Sequence, residues 1–492
     1  MIDSTVAILI TAIVAAAFAA AGVAYVRRGS LSIEDYLVAR GTTDSTVATA
    51  TLVASVIGAW VLLSPAEAGT WAGLVALIGY GIGQAAPLVA FIFVGPRMRR
   101  LMPQGHSLTE YVKHRYGPAM HLFTLGVIVF YMFVFLSAEL TGIAKAFELL
   151  AGTNLWITAL IIGLLTAGYT AYGGLRASIF TDTVQFVMIL PLLLIAFLAA
   201  VSYLDGFGDA LAPIREDSSH LLSLTHRPGV EFGITLIIAI LAANMFHQGF
   251  WQRVYSSRNE TSLRRGFAMS GAIVVPVIIL IGMLGIMAVG RGIGLADSPV
   301  ALFWLVREIA PTWVLVAVLL LALMLVMSSL DTLLNGIASA VVTDLSGFRA
   351  NINAAGLLRF SRGITVALIL PAILIASQGY SVLYLFLIAD MVCAAAVFPV
   401  FWGLYSKRFS GGAAVASSIA GLVAGILFFP TTEAPYLTGW IRDIDWATQL
   451  VVSFAAATGV SVLMGLVLTA LTRTSSPFDF ARLKDEVRLI PE

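Results

Sequence analysis

Charged residues are scarce in this sequence. Of its 492 residues only 11% are Asp, Glu, Lys or Arg, whereas 59% are apolar. A soluble domain averages about 25% charged residues, so this composition excludes a soluble enzyme. The 28 basic and 27 acidic residues leave a net charge of +1, which gives no reason to expect nucleic acid as a partner.

Cysteine and histidine are also rare. The single cysteine, Cys393, excludes an intramolecular disulfide, a thiolate metal cage and an iron–sulfur cluster. Of the six histidines only His247 lies well inside an apolar segment, so no pair of axial haem ligands exists there. No HExxH, GxSxG or Gly-rich phosphate loop with Lys occurs. We therefore predict that the protein is not an enzyme.

Long apolar segments dominate what is present. They recur as blocks of about 20 residues, the length that crosses ~30 Å of hydrocarbon at ~1.5 Å per residue. The sequence predicts an all-α polytopic membrane protein with a single transmembrane domain over 1–492, embedded in a lipid bilayer. We expect thirteen spans, near 6–26, 46–64, 73–95, 120–146, 155–173, 180–204, 232–252, 265–290, 312–342, 360–378, 381–405, 412–430 and 447–472.

The distribution of basic residues predicts the orientation. Lys and Arg collect on the cytoplasmic side of a membrane. With the N-terminus outside, the segments on the cytoplasmic side hold 22 of the 28 basic residues, and this count includes Arg253 after the seventh block. We therefore predict a plasma (inner) membrane protein whose tail, 473–492, is cytoplasmic.

Two blocks carry weak helix formers at mid-membrane, in 51–60 and in 244–253. They are the first blocks of two five-span units, 46–205 and 231–405, which have opposite topology because five is odd. In transporters with inverted repeats, an interrupted first helix exposes carbonyls and helix ends near the midplane. The alternative is that Gly58 and Gly249 only allow close helix packing. The remaining blocks, 6–26, 412–430 and 447–472, are predicted to be peripheral.

Several polar groups inside the blocks need an explanation, because ionisable groups are costly in hydrocarbon. Ser328 and Ser329 are adjacent hydroxyls, which together with backbone carbonyls supply the hard, neutral oxygens that a monovalent cation prefers. They can also bond back to carbonyls of their own helix. The ionisable candidates are Glu67, Glu139, Lys145, Asp182, His247, Asp331 and Asp390.

Four stretches together resemble the sodium:solute symporter family. They are the run 51–60 (TLVASVIGAW), the run 171–185 (AYGGLRASIFTDTVQ), the Ser328-Ser329 pair and the run 403–408 (GLYSKR). The family includes bacterial carriers of proline, pantothenate, sialic acid and galactose. The resemblance extends in order from the first block to the twelfth. The predicted number of spans and the external N-terminus agree with it.

The resemblance implies a leucine-transporter-type fold with a five-plus-five inverted repeat. It also implies a secondary active transporter that works by alternating access. Such a transporter carries a small polar organic solute into the cell together with co-transported sodium. A monomer is sufficient for this transport. The sodium ligands it implies are the carbonyls of Ala54, Ile57 and Leu325 and the hydroxyls of Ser328 and Ser329, with the charge of Asp182 nearby.

For the substrate the resemblance implies only candidate positions. Gln84 and His247 align with residues that contact sugar in galactose carriers, and we expect Trp60 to line the same cavity. Phe386 stands where galactose carriers have a sugar-binding Gln, and Gly249 stands where they have an aromatic gate, so galactose is not favoured. Val56 stands where proline carriers have Asp, so proline is not favoured either. The run 247–252 (HQGFWQ) resembles the urea and polyamine branch, which adds Gln248 and Trp251 to the candidates.

Three alternatives stay open at this point. Proton coupling would need a titratable group, such as Asp182 or Asp331, in place of neutral oxygens. A transporter-like sensor would normally continue into a kinase, and the tail of 20 residues argues against it. A channel of the same fold would lack closing gates.

Overall fold

The computed structural model describes residues 2–27, 32–348, 354–430, 449–471 and 477–487. Of the predicted tail, 473–492, only 477–487 is therefore described. The described chain is helical: it contains no β-sheet, and two residues, Thr43 and Ser257, form an isolated bridge. Three short 3-10 helices, Ala59–Leu62, Ser219–Leu222 and Leu295–Val300, interrupt the series of α-helices.

The α-helices are numbered in chain order. The first ten are α1 Ser4–Arg27, α2 Ile33–Leu37, α3 Ser45–Val56, α4 Ser64–Trp71, α5 Gly73–Leu101, α6 Leu108–Tyr116, α7 Pro118–Ala151, α8 Leu155–Ser202, α9 Phe207–Asp217 and α10 Arg227–Met245. The others are α11 Gln248–Ser256, α12 Glu260–Gly290, α13 Ala301–Ile309, α14 Thr312–Phe348, α15 Ala354–Ala367, α16 Ile369–Ala376, α17 Val382–Trp402, α18 Gly411–Phe428, α19 Leu450–Leu471 and α20 Ala481–Glu486.

Eleven helices of the described chain are long and apolar enough to cross a bilayer, or twelve when the bent pair formed by 45–56 and 59–71 is taken as one span. The protein is thus an all-helical polytopic membrane protein, and the total of thirteen spans stays a prediction. Reaching thirteen requires that α8, with its 48 residues, be two spans. At ~1.5 Å per residue it is more than twice as long as a bilayer needs.

A break inside α8 lies where the sequence separates the fifth and sixth blocks. Gly174 adopts φ 55° and ψ −151°, outside the helical region. A Cβ atom at this position would lie 2.5 Å from Cδ2 of Tyr36, so both the backbone angle and the close approach require glycine. The chain can therefore change direction here.

The predicted interruption of the second span is confirmed. Helix α3 ends at Val56, Ile57 and Gly58 have non-helical angles, and the chain continues as the 3-10 helix 59–62 and then α4. The two halves are bent by 58°. Such a break at mid-membrane is tolerated only where protein groups satisfy the freed backbone.

The seventh span is interrupted as well, between Met245 and Gln248. The break lies just before Gly249, and that glycine serves a different purpose. A Cβ atom on Gly249 would lie 2.5 Å from Cγ2 of Thr332, so glycine lets α11 approach α14 closely. The interruption and the packing interpretation therefore both hold for this segment.

Helix α14 is the centre of the bundle. Its most apolar stretch is 78% buried, whereas those of α1 and α19 are 28% buried and face outward. Helices α7 and α8 and the break after α3 all pack against α14. Polar residues on α14 are consequently presented to several elements at once.

Outside the spans, an ion-pair network joins α2, α6 and α11. Nε2 of His106 lies 2.8 Å from Glu34 and Nδ1 lies 3.3 Å from Glu110. Arg40 pairs with Glu34 at 2.6 Å, and the amide of Gln248 donates to the carbonyl of His106 at 2.9 Å. Burial lowers the pKa of His106, but the hydrogen bonds and charges of Glu110 and Glu34 outweigh burial and raise the pKa to about 9.

This network predicts a pH-dependent contribution to stability. The pKa of His106 is higher in the folded protein than its ordinary ~6.5. Its contribution is therefore fully present below about pH 6.5 and is lost as the pH rises through about 9. We expect His106→Gln to lower Tm by about 2–4 °C at pH 6.5 and by much less at pH 10.

Thermal unfolding of the detergent-purified protein between pH 6 and pH 10 measures this difference. His220→Gln, a substitution at an exposed histidine, is the matched control and should leave Tm unchanged at every pH. A His106→Gln deficit that does not vary with pH would contradict the charged pairing.

Candidate functional site

Asp182 of α8 is the centre of a fully buried polar cluster. One carboxylate oxygen accepts a hydrogen bond from Ser328 at 2.5 Å. The other accepts from Thr51 at 2.6 Å and from the guanidinium of Arg253 at 2.8 Å. The predicted sodium-site residues Asp182 and Ser328 are therefore in direct contact.

Arg253 corrects the assignment made from the distribution of basic residues. That count places it in a cytoplasmic segment, but its side chain is 0% exposed and lies inside the cluster. It donates to Ser55 at 2.9 Å and to Thr332 at 3.0 Å, besides Asp182. Because α11 begins within the membrane after the break, Arg253 reaches the interior. Its position inside the weak-helix segment 244–253 is the one sequence signal that could have revealed this.

A second carboxylate, Asp331 of α14, lies beside this group. It accepts hydrogen bonds from Ser178 at 2.7 Å, Tyr169 at 2.8 Å and Thr181 at 3.2 Å. All of these donors are neutral hydroxyls. Asp331 therefore has hydrogen-bond donors but no ion-pair partner of its own among the described residues.

Glu139 of α7 is the third carboxylate, and it holds the broken second span. It accepts from the backbone N–H of Ala59 at 2.7 Å and of Trp60 at 3.3 Å. Ser329 donates to the same carboxylate at 2.7 Å. A Cβ atom on Gly58 would lie 2.3 Å from this carboxylate, so glycine is needed for the approach. Sequence analysis had left open whether Glu139 has a functional role.

The predicted cation ligands have oxygen lone pairs that are not used in hydrogen bonds. The hydroxyl protons of Ser328 and Ser329 are donated to carboxylates, so the lone pairs of both oxygens remain free for a cation. The carbonyls of Ala54 and Ile57 accept no hydrogen bond from any residue in the described ranges, since the helix ends there. The carbonyl of Leu325 lies within α14, where the helix's own hydrogen bonding leaves one of its two lone pairs for a cation.

Three carboxyl groups lie in or beside this cluster, those of Glu139, Asp182 and Asp331, and the guanidinium of Arg253 pairs with Asp182. Carboxylate oxygens in a low-dielectric interior attract small cations. The carboxyl and hydroxyl oxygens around Asp182 are of the kind that binds a monovalent cation or exchanges protons.

A small cavity lies next to the cluster. Trp60, Gln84 and Phe386, three of the predicted substrate residues, line it together. The other residues that line it are Tyr80, Tyr131, Phe135, Leu236, Ile240, Ala243, Asn244, Leu383, Leu387 and Asp390.

The remaining predicted substrate residues lie beneath or away from the cavity. His247 is buried and its ring contacts Tyr131 and Phe135, which line the cavity, with ring centroids 6.2 and 5.8 Å apart. Gln248 lies elsewhere, because its amide is bonded to the loop at His106 and Leu108. Trp251 is also outside the cavity.

Trp251 instead stabilises the break in the seventh span. Its indole N–H donates to the carbonyl of Met245, the last residue of α10, at 2.9 Å. Its ring stacks on that of Phe401, with centroids 6.0 Å apart. Gln248 and Trp251 became substrate candidates because the run 247–252 resembles the urea and polyamine branch. In the structure their side chains make these other contacts.

Broken helices with buried oxygens beside a cavity are features of transporters. A family model for the sodium:solute symporter family matches residues 36–421. The protein belongs to the sodium:solute symporter family. A solved structure of a Na⁺-coupled sialic acid symporter, substrate-bound and outward-open, superposes with a TM-score of 0.77 at 16% identity, over 97% of this chain and 100% of that one. At that identity the likeness shows the fold.

Two curated relatives are named for different solutes. The spermidine transporter DUR31 of Candida albicans is 30% identical over 406 residues, which cover 81% of this chain and 75% of the relative. The urea-proton symporter DUR3 of Oryza sativa subsp. japonica is 22% identical over 72% of this chain and 54% of its own length. This chain thus spans about half the length of the second relative.

The contact between Gly58 and Glu139 yields a stability prediction. We expect Gly58→Ala to displace the Glu139 carboxylate from Ala59 and Trp60 and to destabilise the protein by about 1–3 kcal/mol. Gly126→Ala in α7, where nothing lies within 4 Å of the new Cβ, is the matched control and should be neutral or slightly stabilising. Thermal unfolding measures both, and equal Tm values for the two variants would refute the contact.

The ion pair between Asp182 and Arg253 yields a second prediction. Removing one partner of a buried pair typically costs about 3–5 kcal/mol, because the other charge is left buried alone. We expect Asp182→Asn and Arg253→Met each to destabilise strongly and the double variant to recover part of that loss. The exposed pair Arg227 and Glu231 provides the control cycle and should show no resolvable coupling. Additive losses at Asp182 and Arg253 would mean that the two charges do not interact.

Proposed function

We propose that this protein is a sodium-coupled symporter that carries a small polar organic solute into the cell by alternating access. In the proposed mechanism, sodium is co-transported and is bound by the carbonyls of Ala54, Ile57 and Leu325 and the hydroxyls of Ser328 and Ser329. The solute occupies the cavity lined by Trp60 and Phe386. We further propose the inverted repeats 46–205 and 231–405, a single transmembrane domain and a monomer as the functional unit.

The observation that carries this proposal is that the break in the second span lies between the candidate cation ligands and the cavity. The carbonyls of Ala54 and Ile57 precede the break in the second span, and Trp60, which lines the cavity, follows it by a few residues. A cation that binds those carbonyls would fix the geometry of the break. It would thereby set the position of Trp60 for the solute, which is a direct route for coupling.

Glu139 supports this route from the other side. Its carboxylate binds Ser329, a candidate sodium ligand, and the backbone N–H groups of Ala59 and Trp60. A cation that draws on the Ser329 oxygen polarises its O–H and strengthens the bond to Glu139. The cation site and the solute site are thus joined through two consecutive hydrogen bonds.

Asp182 and Arg253 supply the electrostatics of the proposed site. Asp182 orients the hydroxyl of Ser328 and contributes negative charge close to the cation. The fixed positive charge of Arg253 on the same carboxylate reduces that attraction. Release of a co-transported ion requires binding that is not too tight, and we assign this moderating role to Arg253.

Proton coupling is the second candidate, and one observation favours it. Asp331 and Glu139 are fully buried and are bonded only to neutral donors. Protons could therefore neutralise the excess negative charge where sodium would otherwise do so. A relative is named as a urea-proton symporter, which keeps this alternative worth testing.

We place the protein in the plasma (inner) membrane with its N-terminus outside and its C-terminal tail in the cytoplasm. The support for this orientation is the concentration of Lys and Arg in alternate segments. Arg253 now leaves that count, because it is buried, and 21 of 28 basic residues still lie on the proposed cytoplasmic side.

Sodium dependence tests the proposal. In proteoliposomes, Ser328→Ala/Ser329→Ala should raise the sodium concentration for half-maximal transport current severalfold while the protein still folds. The matched control is Ser339→Ala, which removes a buried hydroxyl nearer the C-terminal end of the same helix. This control should leave that sodium concentration unchanged. Uptake driven by a pH gradient at constant sodium would establish proton coupling instead, and unaltered sodium dependence in the double variant would discard these ligands.

A further inference from the structure

The cavity contains a carboxylate that has no partner. Asp390 of α17 lines it, is 6% exposed and receives no hydrogen bond or ion pair from the described residues. This separates Asp390 from Asp182, Glu139 and Asp331, which all accept several hydrogen bonds. An ionised carboxylate left alone inside a membrane protein is costly, so Asp390 either stays neutral or pairs with a cation that enters the cavity.

No basic side chain among the described residues lines the cavity. Arg253 is paired with Asp182, and Lys145 lies near Glu67. A positive charge that pairs with Asp390 would therefore arrive with a bound molecule.

Five aromatic rings form a continuous wall of the same cavity. Tyr80 stacks on Trp60 at a centroid distance of 5.7 Å, and Trp60 meets Phe386 edge-on at 6.1 Å. Phe386 contacts Phe135 at 4.8 Å, and Phe135 contacts Tyr131 at 6.0 Å. Aromatic faces attract organic cations through the negative potential above the ring.

We propose that the cavity binds an organic cation, a solute with an ammonium or guanidinium group that pairs with Asp390 and packs against the rings from Tyr80 to Tyr131. This inference names the substrate class of the transport site and rests on the proposed function for its location. Gln84 makes no hydrogen bond within the described chain, so its amide is free to bind the polar remainder of the solute.

Other solute classes fit the cavity less well. A solute with a carboxylate would bring a second negative charge to Asp390, and nothing lining the cavity would neutralise either charge. A neutral polyol would use the rings and the amide but would bring no charge to pair with Asp390. A cationic solute matches both the carboxyl group and the aromatic wall.

Matched pairs of ligands test the role of charge on the wild-type protein. The pairs are choline with 3,3-dimethyl-1-butanol, methylguanidinium with methylurea, and 1,4-diaminobutane with 1,4-butanediol. Isothermal titration calorimetry on the full chain in nanodiscs should show at least one of the cations binding about tenfold or more tightly than its neutral partner. If no cation binds more tightly than its partner, the inference is wrong.

Variants at Asp390 then locate the effect. Asp390→Asn should bring the affinities of the cation and its neutral partner to within about threefold of each other. Asp390→Glu keeps the carboxylate and should retain the preference for the cation. The Glu variant therefore tests the inference even if Asp390→Asn impairs folding. Glu67→Gln, a carboxylate bonded to Ser381 outside the cavity, is the matched control and should keep the full preference. A preference that survives in Asp390→Asn would overturn the assignment, as would a loss of sodium affinity with an unchanged cation preference.

Binding and coupling fail separately in this design. If an organic cation binds at Asp390 but its uptake ignores sodium and protons, the inference stands and the proposed symport is wrong. If sodium drives uptake of a neutral solute and no cation binds, the symport stands and the inference is wrong.

Discussion

The buried pair of Arg253 and Asp182 is the interaction on which the rest of the site depends. A guanidinium in the hydrocarbon region is tolerated only when it is paired and hydrogen-bonded. Here the partners come from three elements: Thr51 and Ser55 of α3, Asp182 of α8 and Thr332 of α14. Satisfying one charge therefore brings these helices together around a common polar centre.

The broken second span follows from the same need to satisfy polar groups. Ending α3 at Val56 frees carbonyls, and the chain beyond the break presents N–H groups. The Glu139 carboxylate accepts the N–H groups, while the carbonyls of Ala54 and Ile57 stay open to a cation. Gly58 permits both, because any side chain there would displace the carboxylate. The break is thus a specific structure and not simply a weak point in a helix.

Two carboxyl environments of different character lie in this interior. Hydroxyl groups surround Asp182, whereas Asp390 lines a cavity with aromatic rings. In the mechanism that we propose, a small inorganic cation binds near Asp182 and an organic cation binds at Asp390, so the two cations occupy distinct places.

Sequence by itself determined the membrane class, most span positions, both interrupted helices and the Ser328, Ser329 and Asp182 candidates. These features follow from hydropathy, helix propensity and a motif, all of which are local. Only the tertiary structure decided that Arg253 is buried, that Glu139 binds Ser329, and that Gln248 points away from the cavity. Those contacts join residues 71, 190 and 142 positions apart. Which face of a helix meets which neighbour depends on packing across the bundle, and no local pattern records it.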